Sequence, residues 1–431
     1  MIALDTSADN APPDATSPSP HAMVSAKTPI LLSVITLGLG AILLLGSQSG
    51  NTTFRLSSRE DLFALPDLTL PAEGTGWVAV ILMAAASVEA WRRLRMAHTA
   101  TPLWMIAGFS FVAMTGFLSW AAAGGTIPVV GLLGGSIALA VPLVFGALGG
   151  VLGERAGVVN IAIDGQLLAG AFAAALFGSI TGSVWGGLVG AMAAGALVAL
   201  ILGLFAITYF VDQIIVGVVL NVLVIGVTSF LFTQVMVPST ASLNAPPRFS
   251  RLSIPGLSEI PLLGPVLFRQ TAIVYLLYVM VALVTWSLYR TRWGLRVRAV
   301  GEHPMAADTV GIKVNLTRYR TVLLGGAIAG MGGAFYTLVS VPQFNRELTG
   351  GAGYIALAAV IFGKWNPIKA TLAALLFGFA SNLQGVLSAI RSPVPSEFML
   401  MLPYVVTIFA VAGLVGRSRP PAAVGTPYRK G

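Results

Sequence analysis

Residues 290–320 read RTRWGLRVRAVGEHPMAADTVGIKVNLTRYR, and this stretch orients the whole chain. It holds seven of the 25 Lys and Arg residues and lies between two long apolar runs, 271–289 and 321–341. Basic residues concentrate on the cytoplasmic side of membrane proteins, so the loop is expected inside the cell. Outward from it, hydropathy gives about twelve segments of the length a bilayer needs, roughly 17–25 residues. They fall near 28–46, 76–91, 102–123, 127–150, 164–181, 184–208, 213–236, 271–289, 321–341, 351–364, 368–389 and 398–415, the second and tenth being short. The expected fold is all-α, a polytopic membrane protein with about 12 transmembrane helices and both termini cytoplasmic. Under that topology 18 of the 25 basic residues are inside, leaving Arg55, Arg59, Arg248, Arg251, Arg269, Arg346 and Arg391 outside.

Composition agrees. Apolar residues make up 56%, charged residues 10%, and the mean hydropathy is +0.86. A soluble domain carries about 25% charged residues, so that class is excluded. The formal charge of +9 would suggest nucleic acid in a soluble protein. Here the basic residues sit in loops, and no nucleic-acid partner is expected. Cysteine is absent, which excludes disulfides, thiolate metal sites and a Cys nucleophile. His21, His98 and His303 are far apart in sequence, so no metal site is nominated. Gly363-Lys364 lacks the upstream Gly and the following Ser or Thr of a phosphate-binding loop, and no HExxH or GxSxG run occurs. No catalytic residue is therefore nominated. A pumping activity would draw on a partner or an ion gradient.

Residues 1–27, rich in Pro, Ala and Ser and without a basic start, read as a disordered cytoplasmic tail rather than a signal peptide. Residues 28–126 carry three spans and a polar outer loop, 47–75. A second outer loop, 237–270, contains six prolines and suits a lid, a docking surface or a stiff connector. Residues 416–431 form a second cytoplasmic tail.

Within the basic loop, Pro304 suits a first helical turn and Gly311 a left-handed C-terminal cap. Between them Met305, Ala306, Ala307 and Asp308 make a helix of about two turns, roughly 10 Å long. Small Ala306 and Ala307 would let a partner surface approach, with Glu302 and Asp308 offering charge. The plainer alternative is a surface helix joining two spans.

In GERAGVVNIAIDGQLLAGAF (153–172), Glu154, Arg155, Asn160, Asp164 and Gln166 interrupt an apolar region. A charge at mid-bilayer costs about 2.5–3.5 kcal/mol, so Asp164 should face protein, water or the interface. Gly153, Gly157 and Gly165 suggest a broken or re-entrant helix lining a cavity. The alternative is a cytoplasmic turn with Glu154 and Arg155 as a solvated pair. Asn160, Asn221 and Asn382 are the candidate pathway residues, since an amide offers both donor and acceptor. Amides also tie helices together. Gly326 and Gly330 share one helix face and are expected to serve close helix packing.

The runs VRAVGEHPMAADTVGIKVNLTRYR (297–320) and GGAIAGMGGAFY (325–336), the 153–172 segment, and GAGYIALAAVIFGKWNPIKATLAALLFGFA (351–380) resemble permease subunits of ABC importers. The likeness is to the nucleoside and simple-sugar branch of the branched-chain amino-acid/ribose permease superfamily. It spans 127–415 and leaves 1–126 outside the strongest match. It implies a roughly 10-span permease core, preceded here by extra N-terminal spans, in a bacterial-type cytoplasmic membrane. It implies that Glu302, Pro304, Ala306, Ala307, Asp308 and Gly311 form the coupling helix of the 290–320 loop, docked on a cytoplasmic ABC ATPase. ATP and Mg would bind that ATPase, with no cofactor on this chain. A second homologous permease and an extracytoplasmic substrate-binding lipoprotein are the other implied partners. Arg298 and Lys313 would pair with acidic ATPase residues or with anionic membrane lipid. Nucleosides are the implied substrates, with Phe344 and Tyr354 placed to stack a base near the outer mouth. The alternatives are a simple-sugar permease or a gradient-driven carrier; the latter wants an ionisable residue in the membrane core, whereas Glu89, Asp164 and Asp212 all lie near expected span ends.

Overall fold

The computed structural model describes residues 26–57, 61–96, 99–390, 392, 394–395, 397–399, 401 and 419–429. The expected N-terminal tail lies almost wholly outside the described residues, as does most of the expected span 398–415 and the start of the C-terminal tail.

Apolar runs become helices where a capping residue satisfies their first free N–H groups. The helices are α1 (Lys27–Leu45), α2 (Ala72–Met96), α3 (Leu103–Ala121), α4 (Val129–Arg155), α5 (Ile163–Thr181), α6 (Val184–Gly203), α7 (Gln213–Leu231), α8 (Thr240–Leu243), α9 (Ala272–Arg290), α10 (Arg292–Glu302), α11 (Pro304–Thr309), α12 (Val314–Phe335), α13 (Ala352–Phe362) and α14 (Pro367–Ala389). The Asp212 carboxylate opens α7 by accepting from the N–H groups of Ile214 and Ile215 at 2.8 and 3.1 Å. Asn366 does the same for α14, accepting from Ile368 and Lys369 at 3.0 and 3.2 Å, with Pro367 at the first position. Wider π-helical turns extend α6 to Thr208, α7 to Met236 and α12 to Ser340.

Ten helices among the described residues are long and apolar enough to cross a membrane. The chain is a multi-pass, all-α membrane protein. The expected span 351–364 departs from its reading. Its helix, α13, has 11 residues, about 16 Å against a hydrocarbon core of about 30 Å.

The segments joining the long helices hold five short strands that apolar patterning did not indicate. β1 (Asn51–Arg55) pairs antiparallel with β2 (Leu68–Pro71) and parallel with β3 (Thr126–Pro128). β4 (Arg251–Ser253) pairs antiparallel with β5 (Arg269–Thr271), closing the proline-rich loop on itself. The Leu62 N–H donates to the Glu259 carbonyl at 2.9 Å, so the 47–75 and 237–270 loops are tied together. α1, α2 and α3 pack around Leu39, Met83 and Phe109 and reach the remaining helices through Ile127, Leu132, Leu383 and Leu387.

α12 is the central helix, and glycines let three neighbours press on it. Gly325 meets Gly149 of α4, Gly326 and Gly330 meet Gly195 and Ala191 of α6, and Gly333 meets Leu167 and Gly170 of α5. Backbones this close forgo side-chain volume and gain dispersion contact, the usual basis of helix association in lipid. One end of the bundle gathers the 290–320 loop, the turns after α4, α6 and α13, and residues 419–429. We call this the basic face.

Candidate functional site

Two crossings are broken, and their breaks meet. α4 ends at Arg155 and α5 begins at Ile163. Ile163 packs on Gly146 and Gly150 of α4, roughly two turns or about 10 Å inside the bundle from the end of α4. From the other side the chain leaves α12 and descends irregularly through 341–351 into α13. Glu347, Gly350 and Gly351 take left-handed φ values of 53°, 54° and 81° to make that bend. The N-termini of α5 and α13 then abut at Asp164 and Gly353.

Asp164 holds the junction. Its carboxylate accepts from the Gly353 N–H at 2.9 Å and from the Thr349 hydroxyl. It therefore caps α13, which has no capping side chain of its own, while sitting in the first turn of α5. Both positions place negative charge at a positive helix end. Asn221 on α7 accepts from the Gly165 N–H at 2.8 Å and donates to the Ile161 carbonyl at 2.9 Å and the Tyr354 hydroxyl at 3.1 Å. Asn160 and Gln166 exchange two amide bonds at 3.0 and 3.2 Å. The Gln213 side chain accepts from the Val159 N–H at 2.7 Å. Side chains thus satisfy the backbone that the break leaves without helical partners.

Asn160 and Asn221 are brought together, both buried with their amides already paired. Asn382 stands apart. It bonds the Leu132 carbonyl at 2.6 Å and links α14 to the start of α4. Phe344 is also elsewhere than expected: it is fully buried, edge-on to Phe172 and Phe232 at centroid distances of 5.3 and 5.8 Å. Asn244 holds both its backbone N–H and its carbonyl, so no face is open to a base. Tyr354 lies at the junction rather than at an outer mouth. Asp164 lies about 10 Å inside rather than at a span end. Gln343, Asn345 and Glu347 are exposed on the descending segment and Tyr354 is half exposed beside Asn221. Gln343, Asn345 and Glu347 went unnominated because they fall between the expected spans 321–341 and 351–364, and Tyr354, in the second of these, was expected near the outer mouth.

Glu154 and Arg155 are not a solvated pair. Glu154 is buried and accepts from the Trp365 indole N–H and the Asn160 backbone N–H. Arg155 donates to the Trp365 carbonyl at 2.9 Å. Together they rivet the end of α4 to the turn after α13, where Lys364 and Trp365 are both left-handed. Trp365→Phe removes one of the two donors Glu154 uses. The expected cost is about 1–3 kcal/mol, read as a lower melting temperature of the detergent-purified protein. An unchanged melting curve would remove this rivet from the account.

On the basic face, α11 has Pro304 at its first position, and Gly311 follows it with φ 84°. Gly311 and Ile312 donate to the carbonyls of Asp308 and Ala307 at 2.9 and 3.0 Å, closing the helix. Met305, Ala306 and Val310 project outward. Ala307 does not: it is buried under Tyr428, with Val300 and Val314 beside it, so only Ala306 of the pair is open to a partner. Burial and the Asp308 carboxylate hold the Tyr428 hydroxyl above its ordinary pKa, so it stays protonated and donates. A groove of about 880 Å³ beside α11 is lined by Arg292, Arg296, Lys313 and Arg320, with Leu295 and Leu316. Arg298 instead turns back over the Tyr289 ring at 5.3 Å.

The chain is thus a glycine-packed bundle of membrane-length helices in which two broken helices meet, with a basic face at one end. The family described as branched-chain amino acid transport system permease component matches residues 132–411, and the chain belongs to it. The match starts just inside α4, so α1–α3 lie outside it. The chain is 42% identical over 305 residues to a guanosine ABC transporter permease, NupQ, of Bacillus subtilis (strain 168), covering 69% of this chain and 95% of that one. It is 37% identical over 300 residues to a nucleoside ABC transporter permease, NupC, of Lactococcus lactis subsp. cremoris, covering 67% and 93%. A second guanosine ABC transporter permease of the same Bacillus strain, NupP, is 24% identical over 303 residues, covering 68% and 85%. No solved structure matches the chain.

Proposed function

We propose that this chain is one permease half of an ATP-driven nucleoside importer. The observation that carries the reading is its likeness, over nearly their whole length, to permeases whose names specify guanosine and nucleosides. The basic face is then cytoplasmic, in keeping with the bias of Lys and Arg. α11 is the coupling helix, presenting Met305, Ala306 and Val310 to a separate ATPase that binds ATP and Mg. The groove of Arg292, Arg296, Lys313 and Arg320 suits an acidic surface on that partner. The presence in one Bacillus strain of two permeases named for guanosine supports a second, related permease beside this one. An extracytoplasmic binding protein would deliver substrate to the outer loops.

In this reading substrate passes the junction of α5 and α13, where Tyr354, Gln343, Asn345 and Glu347 offer polar atoms and an aromatic face. Access alternates as ATP-driven motion of α11 reaches that junction. Uptake of labelled guanosine, uridine, ribose and leucine, with and without this gene, tests substrate. Repeating it with a Walker-lysine variant of the ATPase tests the energy source. Nucleoside uptake lost in both strains is the expected result. Uptake that survives the ATPase variant would assign the protein to gradient-driven carriers. Ala306→Trp is expected to cut uptake at least tenfold at normal expression, because its bulk lies on the exposed side of α11. Full uptake in that variant would move the docking site elsewhere.

A further inference from the structure

Residues 421–429 form a strap across the basic face, and its contacts fall on moving parts of the proposed mechanism. The Ala423 N–H donates to the Gly301 carbonyl at 2.9 Å, and the Ala422 N–H to the Glu302 carboxylate at 3.2 Å. Both acceptors lie at the entry to α11. Tyr428 is buried against Val300, Ala307 and Val314 and hydrogen-bonds Asp308. Buried Arg318, in the first turns of α12, donates to the Thr426 carbonyl at 3.1 Å.

The other side of the strap touches the break between α4 and α5. A methyl group on Gly157 would lie 3.2 Å from the Ala423 carbonyl, and one on Gly425 would lie 3.6 Å from the Val159 side chain. Beyond Tyr428, Arg429 stacks over the Phe210 ring at 5.1 Å, in the turn between α6 and α7. One short segment thus bridges the coupling helix, the start of α12, the break and the α6–α7 turn. From Val159 the chain runs five residues to Asp164, where the two broken crossings meet.

We infer that residues 421–429 transmit motion of α11 to the 156–162 break, with Tyr428 as the positioning residue that keeps strap and coupling helix moving as one body. Close-packed contacts pass displacement because they yield little. Without the Tyr428 ring, α11 would sit over a cavity and could shift under load while the break stays behind. Transport and hydrolysis would then separate. The inference rests on the importer reading above.

The experiment uses the complete transporter, with its ATPase and second permease, in proteoliposomes supplied with binding protein and labelled guanosine. Guanosine moved per ATP hydrolysed is the readout, since a merely destabilised protein loses both rates together. Tyr428→Ala is expected to lower that ratio at least fivefold. Tyr428→Phe, which keeps the packing ring, is expected to stay within twofold of the wild type. An unchanged ratio in Tyr428→Ala overturns the inference. Because this chain has no cysteine, Glu302→Cys with Ala422→Cys gives it a single thiol pair for a short crosslinker, and bridging within the chain is verified by peptide mass. The bridged protein is expected to transport at the rate of its unbridged form, because the strap stays seated through the cycle. Transport abolished by bridging would mean the strap must leave, and the inference fails even if Tyr428→Ala does not assemble. Wild-type uptake indifferent to the ATPase Walker lysine would instead sink the importer reading itself.

Discussion

Gly330→Leu is expected to leave almost no folded transporter. A methyl group at Gly330 would lie 2.2 Å from the Ala191 carbonyl oxygen and 3.2 Å from the Gly195 Cα. Both obstacles are backbone, so no side chain can swing aside. Overpacking a core typically costs about 1–3 kcal/mol; a leucine driven into a helix backbone belongs at or beyond the upper end. α6 would have to leave α12, and α5 would follow, because its Gly170 also rests on Gly330. Uptake at least tenfold down, with a lowered melting temperature or lost expression, is the predicted outcome. Gly38→Ala is the contrasting variant: nothing lies within 4 Å of the added methyl group, and a helical alanine is slightly favoured over glycine. It should be neutral or mildly stabilising. If Gly330→Leu purified with wild-type melting and activity, the central place of α12 would be wrong.

Asp164→Ala should be nearly as severe for transport, by a different route. It leaves the Gly353 N–H and the Thr349 hydroxyl without their acceptor, inside a bundle where water is scarce. Each orphaned donor costs about 1–3 kcal/mol, and the positive ends of α5 and α13 lose the charge between them. An uptake loss of tenfold or more is expected at measurable surface expression. Asp164→Asn keeps an acceptor oxygen without the charge, so it should fall between alanine and the wild type. The ordering of the three separates hydrogen bonding from charge. Equal activity in Asp164→Ala and wild type would deny the junction any part in the pathway.

The sequence made some of this legible and hid the rest for physical reasons. Long apolar runs announce helices because lipid forbids unpaired backbone, and the ten crossing helices lie where hydropathy put spans. Proline and glycine at 304 and 311 gave the limits of α11, since both act locally. Side-chain partners were harder. Glu154 and Arg155, adjacent and opposite in charge, read as an exposed pair. The Trp365 that removes Glu154 from solvent is 211 residues away. Ala306 and Ala307 read alike, and only the Tyr428 ring decides which faces out. β1, β2 and β3 are three to five residues each, too short for alternation to register, and their pairing is non-local.

The crossing made by 341–351 and α13 is a wall of two materials. Its helical half is fixed by Trp365, Asp164 and the packing of α4. Its irregular half carries its exposed polar side chains on backbone that no helix ladder constrains. Substitutions at Gln343, Asn345 or Glu347 therefore leave the glycine contacts around α12 untouched. Change at those three positions alters the polarity of the irregular half and leaves the bundle packed around α12 as it is.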